Sequence, residues 1–385
     1  MIVATQQALS KHVLRGLRAQ ACQQIGFSLG YRSLSLYKSP PPGSIVFSGI
    51  QPTGVPHLGN YLGALQQWVQ LQTTCSITTK LYFCIVDLHA LTTQPNSRHL
   101  QRCKIETLAT LLAIGLDPKR CTIFFQSDVQ SHTELMWILT CNASMGYLSR
   151  MTQWKTKTNV DSMDLISGQK FRAKLKLGLF SYPVLQAADI LVHRATHIPV
   201  GEDQEQHLEF ARECAHGFNA IYGPVLAKPE TMLSPTKRVM SLRDPSSKMS
   251  KSDPDPRSRI LITDTPEEIR RKVKQALTDS RNGISYDPVE RPGVSNLLDI
   301  LSHLDTVGES SLSLAMRFSN LNLGSFKDHV ADRIIDCFKG FKDKYRILMQ
   351  EENLPQLHDV AFAGAKEARA NAEMTMNNVR AAVGL

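Results

Sequence analysis

Short apolar runs that alternate with segments of helical periodicity constrain this chain's fold more than any other property. Ile45-Val46-Phe47, residues 81–86 and Thr122-Ile123-Phe124-Phe125 are rich in β-branched and aromatic side chains and read as strands. Helical patterns lie between and after them, near residues 97–114, 132–147, 183–193 and 204–218. Repeated β-α-β order predicts an α/β fold: a Rossmann-like parallel sheet flanked by helices, with ligands at the carboxyl ends of its strands. At Thr265-Pro266-Glu267-Glu268 the pattern changes. An N-cap, a proline at the first helical position and a glutamate at the third open a region in which strand signals vanish. The chain therefore divides into a leader and linker (1–43), a sheet domain (44–264) and an all-helical domain (265–385).

Two segments of the sheet domain carry chemistry. In the first, a turn containing Gln51-Pro52-Thr53-Gly54 joins the first strand to a helix marked by Leu58, Leu62, Leu65, Trp68 and Leu71. Gly49, Gly54 and Gly59 let backbone approach a ligand, and the helix start offers free N–H groups to phosphate. His57 and Asn60 stand beside that start with donors to spare; taken alone, such a histidine also fits a satisfied surface residue. The second is Lys248-Met249-Ser250-Lys251-Ser252, set between the turn-rich stretches Asp244-Pro245-Ser246-Ser247 and Asp253-Pro254-Asp255-Pro256. Two ammonium groups on a flexible loop suit a polyphosphate that gathers charge, while a lone Lys-rich five-mer is equally a solvated surface loop.

Taken together and in this order, the two segments resemble class I aminoacyl-tRNA synthetases. His57-Leu58-Gly59-Asn60 is similar to their HIGH element, and residues 248–252 match the KMSKS loop letter for letter. Phe47-Ser48-Gly49-Ile50-Gln51-Pro52-Thr53-Gly54, Ile85-Val86-Asp87-Leu88-His89-Ala90, Ala187-Ala188-Asp189-Ile190-Leu191, Pro199-Val200-Gly201-Glu202-Asp203-Gln204 and Ser252-Asp253-Pro254 resemble the tryptophan-specific branch of bacterial and organellar type. The resemblance runs from about Ile45 to the C-terminus.

It implies L-tryptophan, ATP and tRNA(Trp) as substrates, Mg²⁺ carried on the ATP phosphates with no metal site of the protein's own, and a homodimer. His57, Asn60, Lys248 and Lys251 would be catalytic. Gln51, Thr53, Gly59, Lys157, Gly201, Glu202, Asp203, Val239, Met249, Ser250 and Ser252 would join them around ATP. Phe47, Gly49, His89, Tyr182, Gln186, Asp189, Val200 and Gln204 would surround the amino acid, with Gln186 standing where many relatives carry methionine.

The residues of that pocket can be argued on their own. Tyr182, Gln186 and Asp189 recur at i, i+4 and i+7, so they share a helix face, and Pro183 fits that helix's first turn. A carboxylate beside Ala187, Ala188 and Ile190 is costly to bury unless something donates to it. An indole N–H is such a donor; a capped backbone is the competing explanation. His89 follows the second strand at its carboxyl end, where a satisfied core histidine would also fit. Glu202 and Asp203 open a helix and can balance its dipole whatever else they do. A stretch near 158–177 carries Lys170, Arg172, Lys174 and Lys176 and is longer and more basic than the spacer usual in the family.

Composition agrees with a protein that meets polyanions: the 385 residues carry a formal charge of +9. No Asp or Glu precedes Asp87, and Lys11, Arg15 and Arg18 mostly avoid the face formed by Leu9, Val13, Leu14 and Leu17. Such a segment has the pattern of a transit peptide for the mitochondrial matrix; a basic tail that helps hold nucleic acid is the other reading. The eight cysteines form no C-x-x-C pair, and no apolar stretch has the length of a membrane span. Near the C-terminus Lys339, Lys342, Lys344 and Arg346 interleave with Phe338, Phe341 and Tyr345, a pattern that fits base stacking on RNA and a solvated core helix equally. A tyrosine-specific relative, an adenylyltransferase of the same superfamily and a catalytically idle RNA-binding relative complete the alternatives.

Overall fold

The computed structural model describes residues 39–151, 176–201, 204–233, 238–251, 253–305 and 308–385. The basic leader through residue 38 and most of the insertion near 158–177 lie outside them. Five parallel strands form one sheet: β1 (Ile45–Ile50), β2 (Lys80–Ile85), β3 (Thr122–Phe125), β4 (His197–Val200) and β5 (Glu230–Leu233), in the order β3-β2-β1-β4-β5. The chain winds outward from β1 to β3, then returns to the other side of β1. The strand order therefore reverses between β1 and β4, and in such sheets a crevice opens there at the carboxyl ends.

Alternation along the strands divides the core. Phe47, Tyr82, Cys84 and Phe124 face one side, with α7 (Leu177–Val192) and α8 (Glu205–Tyr222) packed on it. Val46, Leu81, Phe83, Ile85 and Ile123 face the other, under α2 (Gln66–Thr74) and α4 (Ser97–Ala113). Before α2 the chain turns through α1 (Leu58–Asn60) and a π-helical segment, Tyr61–Leu65. A short α3 (Asp87–Ala90) follows β2.

Several elements differ from what periodicity predicts. The pattern at 132–147 is two helices, α5 (Ser131–Thr140) and α6 (Met145–Arg150), because the Ser144 hydroxyl caps a new start by accepting from the Tyr147 N–H. Pro183 does not begin α7; it sits inside a helix that starts at Leu177, its ring buried. β5 has no apolar run to announce it and occupies the sheet's far edge.

The capping box at Thr265 forms as its sequence implies: the Glu268 N–H donates to the Thr265 hydroxyl and the Thr265 N–H to the Glu268 carboxylate. It opens α9 (Pro266–Lys274), followed by α10 (Pro292–Leu304), α11 (Ser311–Arg317), α12 (Leu323–Cys337), α13 (Phe341–Leu348) and α14 (Leu354–Val383). The helices from α9 on do not make a separate body. Val239, Leu242, Met249, Ile260 and Ile262 share one core with α9 to α12. The last helix, α14, joins the sheet. Leu357 and Ala361 enter the core on one face of the sheet, and Ala365, Ala368, Ala372 and Met376 the core on the other. It therefore runs along the open edge of β3, covering backbone that would otherwise invite pairing. Gly364 marks the closest approach: a Cβ there would meet the Ile123 carbonyl oxygen at 1.9 Å.

Candidate active site

The crevice between β1 and β4 holds a cavity of about 350 Å³. All eight residues expected around an amino acid line it: Phe47 and Gly49 from β1, His89 from α3, Tyr182, Gln186 and Asp189 from α7, Val200 from β4, and Gln204. Gln51 and Gly201, expected near nucleotide, line it too. Gly49 is required by contact, since a Cβ there would come within 2.9 Å of Val86 Cγ1. Gln186 Nε2 donates to Gln204 Oε1 at 3.2 Å, which ties α7 to the start of α8. The Tyr182 hydroxyl lies 2.9 Å from His207 Nε2.

Asp189 is 2 % exposed, and its surroundings correct part of the expectation. Its burial needs no ligand: Oδ1 accepts from Gln126 Nε2 at 2.7 Å and faces His132 Nδ1 at 2.6 Å, while Oδ2 faces His89 Nε2 at 2.8 Å. Burial pushes the carboxyl up, but hydrogen bonds and charge from His132 and His89 outweigh it and hold Asp189 well below the usual range. A carboxylate has about four acceptor positions, so three protein donors leave it room for one more.

Beside the cavity, the two motifs meet. Gly54 has φ +83°, a conformation few other residues adopt, and closes the turn that leads to His57. His57 caps α1: its Nδ1 accepts from the Asn60 N–H at 3.2 Å, and Asn60 Oδ1 accepts from the His57 N–H at 3.2 Å. That leaves Nε2 of His57 and the Asn60 amide as donors. Burial, then the charges of Lys251, Lys248 and Arg259, push the His57 imidazole down to about 3, so it is neutral. Gly59 packs on this ring, where a Cβ would lie 3.1 Å from its atoms and 3.5 Å from Val239.

The lysine loop is less free than its composition suggests. Met249 between the two lysines is 2 % exposed and joins the second core, and its N–H donates to the Val239 carbonyl at 3.0 Å. Beyond the loop, Leu58 N–H donates to Ile260 and Ile262 N–H to Pro56, so the strip after the lysines clamps both flanks of His57. Lys251 reaches the glycine turn, its Nζ 2.7 Å from the Gly54 carbonyl and 3.1 Å from Thr53 Oγ1. Burial brings its ammonium down to about 8. Lys248 is exposed, bridged across to Met240, and does not line the cavity. Ser250 is half-buried. Lys157, Glu202, Asp203 and Ser252 lie outside the described residues.

Residues 42–339 match the family of class I tRNA synthetases (W and Y). This chain belongs to that family. The synthetase is 44 % identical over 351 residues to the mitochondrial tryptophan–tRNA ligase of Schizosaccharomyces pombe, covering 89 % of this chain and 96 % of that one. Its fold is similar to tryptophanyl-tRNA synthetase from Mycoplasma pneumoniae, with TM-score 0.78, 31 % identity and 89 % and 98 % of the two chains covered. It also resembles the Campylobacter jejuni enzyme crystallised with ADP and tryptophan, with TM-score 0.70, 30 % identity and 89 % and 100 % covered.

Gln126, His132, His193 and Arg259 escaped the sequence reading of this synthetase. Two left a signal: Gln126 follows a strand end as His89 does, and His193 lies one helical turn beyond Asp189. The C-terminal aromatic segment resolves toward core. Phe338 and Phe341 are buried in the second core, Phe338 edge-on to Tyr61, whereas Lys339, Lys342, Lys344 and Arg346 face solvent.

Proposed function

We propose that this chain is a tryptophan–tRNA ligase of mitochondrial translation. The reading rests above all on the ionised, buried Asp189 lining a cavity that Gln51 of the turn before His57 also lines. A carboxylate there complements the indole N–H, which can only donate. Identity of 44 % to a mitochondrial tryptophan–tRNA ligase supports the same substrate.

The reaction runs in two steps. A tryptophan carboxylate oxygen attacks the α-phosphorus of ATP, the bond to the bridging oxygen breaks, and pyrophosphate leaves. A terminal-adenosine hydroxyl of tRNA(Trp) then attacks the activated carbonyl carbon, and AMP leaves. In-line displacement at phosphorus asks mainly for alignment and charge neutralisation. Neutral His57 and the Asn60 amide would donate to phosphate from the helix start, with Gly59 keeping the backbone close. Lys251 would exchange its backbone carbonyl partners for phosphate oxygens as negative charge moves onto pyrophosphate, a contact made only along the reaction. Lys248 adds cationic field from the loop's exposed side. Mg²⁺ would arrive on the ATP phosphates, since it keeps several waters and needs few protein carboxylates.

Beyond the site, exposed Lys339, Lys342, Lys344 and Arg346 favour anticodon-arm contact through charge rather than stacking. Trp137, 71 % exposed on α5, and Met145, 68 % exposed on α6, are apolar surface that a second copy would cover in a homodimer. The leader would direct the chain to the matrix. Tryptophan-dependent ATP–pyrophosphate exchange by protein lacking residues 1 to 38, with tyrosine as comparison, tests the reading; exchange with tyrosine alone would sink it.

A further inference from the structure

Behind the cavity floor, buried polar groups continue in single file to the C-terminal helix. His132 Nδ1 faces Asp189 Oδ1 at 2.6 Å, His132 Nε2 faces His193 Nε2 at 3.2 Å, and His193 Nδ1 faces Asn371 Oδ1 at 2.9 Å. His132 and His193 are fully buried and Asn371 on α14 is 7 % exposed. Phe47, Tyr82 and Phe124 pack around the His193 ring and keep it in place.

Hydrogen counting gives this file a direction. Burial, then the charge of His132, pushes His193 down to about 3, so it carries one ring hydrogen. The Asn371 carbonyl accepts that hydrogen from Nδ1, which leaves Nε2 as an acceptor. His132 then presents Nε2 to His193 and Nδ1 to Asp189, so its ring is held from both sides.

We propose that Asn371 is a positioning residue for amino-acid selection, its carbonyl orienting His193 and His132 so that Asp189 stays ionised, fixed and ready to accept from the cavity. The proposal rests on Asp189 being the acceptor of the indole N–H. It makes the last helix, which contributes no residue to the cavity lining, a part of substrate discrimination. Gly364 serves the same end by letting α14 sit close enough on β3 for Asn371 to reach.

The test compares kcat/KM for tryptophan with that for β-(benzothiophen-3-yl)alanine, which has nearly the same shape and no N–H. In Asn371→Leu the preference for tryptophan should fall about tenfold, the scale of one hydrogen bond to a charged group. The loss should appear in KM for tryptophan, with KM for ATP unchanged. Asn371→Asp keeps an acceptor oxygen in place and should restore the preference. In ring-¹⁵N-labelled protein, a hydrogen-bonded His193 Nδ1–H signal should be present in the unsubstituted enzyme and be shifted or lost in Asn371→Leu. Unchanged preference in Asn371→Leu overturns the proposal, as does equal loss toward both amino acids, which marks a merely structural residue. A missing preference in the unsubstituted enzyme overturns the reading of Asp189 itself, while the ¹⁵N signal still reports whether the hydrogen-bonded file is as described.

Discussion

The floor of the cavity and its phosphate rim are built on opposite principles. At the floor, Asp189, His89, His132 and Gln126 are all buried and bound to one another, so the carboxylate can hardly move. At the rim, the reactive ammonium of Lys251 rests on the carbonyls of Thr53 and Gly54, partners of a kind that water or phosphate can replace. The difference matches two tasks. Selecting an amino acid needs an acceptor fixed before binding, whereas following charge from α-phosphate to pyrophosphate needs a cation that changes partners.

Removing the floor's carboxylate should cost most. Asp189→Ala strands three buried donors, and breaking such a buried charged cluster costs about 3–5 kcal/mol of stability. Thermal melting should show the loss, and tryptophan-dependent exchange should fall far more than ATP binding does. A variant that melts and exchanges like the unsubstituted protein would mean the floor is not the rigid, selective region described.

Lys251→Ala should behave in the opposite way, leaving the fold intact and slowing the chemistry. Removal of one group that stabilises developing charge costs about 10²- to 10³-fold in rate. Rapid-quench single-turnover measurement of adenylate formation should show that loss with little change in ATP affinity. An unaltered single-turnover rate would erase the distinction between floor and rim.

The pH dependence separates the two regions more finely. Lys251 has its ammonium brought down to about 8, so it is cationic below that pH and neutral above. Since kcat/KM reports the free enzyme, kcat/KM for ATP should be level up to about pH 8 and then fall, approaching tenfold per unit. Asp189, held well below the usual carboxylate range, contributes no limb near neutrality. In Lys251→Arg the alkaline limb should disappear, because guanidinium keeps its charge. Persistence of that limb would assign it to another group.

The two regions also differ in how far sequence reveals them. The rim's residues sit in two contiguous strings, and the chemistry of a glycine turn before a helix start can be read from spacing. What spacing hid was restraint: Met249 looks like one letter of a mobile loop, yet its side chain anchors that loop in the second core. At the floor, periodicity put Tyr182, Gln186 and Asp189 on one face, because three positions on a helix are a local matter. It could not show that His132 and Gln126 come from different elements to satisfy the carboxylate. The Pro183 reading failed for a related reason. Proline is tolerated inside α7 because the packing of Val184, Ala187 and Ala188 on the sheet stabilises the helix on both sides of it. The α9 boundary was plain from its capping box, but α14 returning to cover β3 depends on surface complementarity around Gly364, which no local pattern encodes.

The smallest expected effect probes the seam between the regions. Gln186 lines the floor, yet its amide donates to Gln204 at the start of α8, next to the Gly201 turn in the cavity lining. Gln186→Met removes that bond but keeps nearly the same length and volume, and neither glutamine is deeply buried. The change should cost less than about 1 kcal/mol in stability and alter KM for tryptophan about two- to threefold, within the same modest range. KM for ATP is the informative readout. If the α7–α8 tie only shapes the amino-acid cavity, it will not change. A rise in KM for ATP equal to that for tryptophan would show that floor and rim are coupled through this pair, so that the fixed region helps set the moving one.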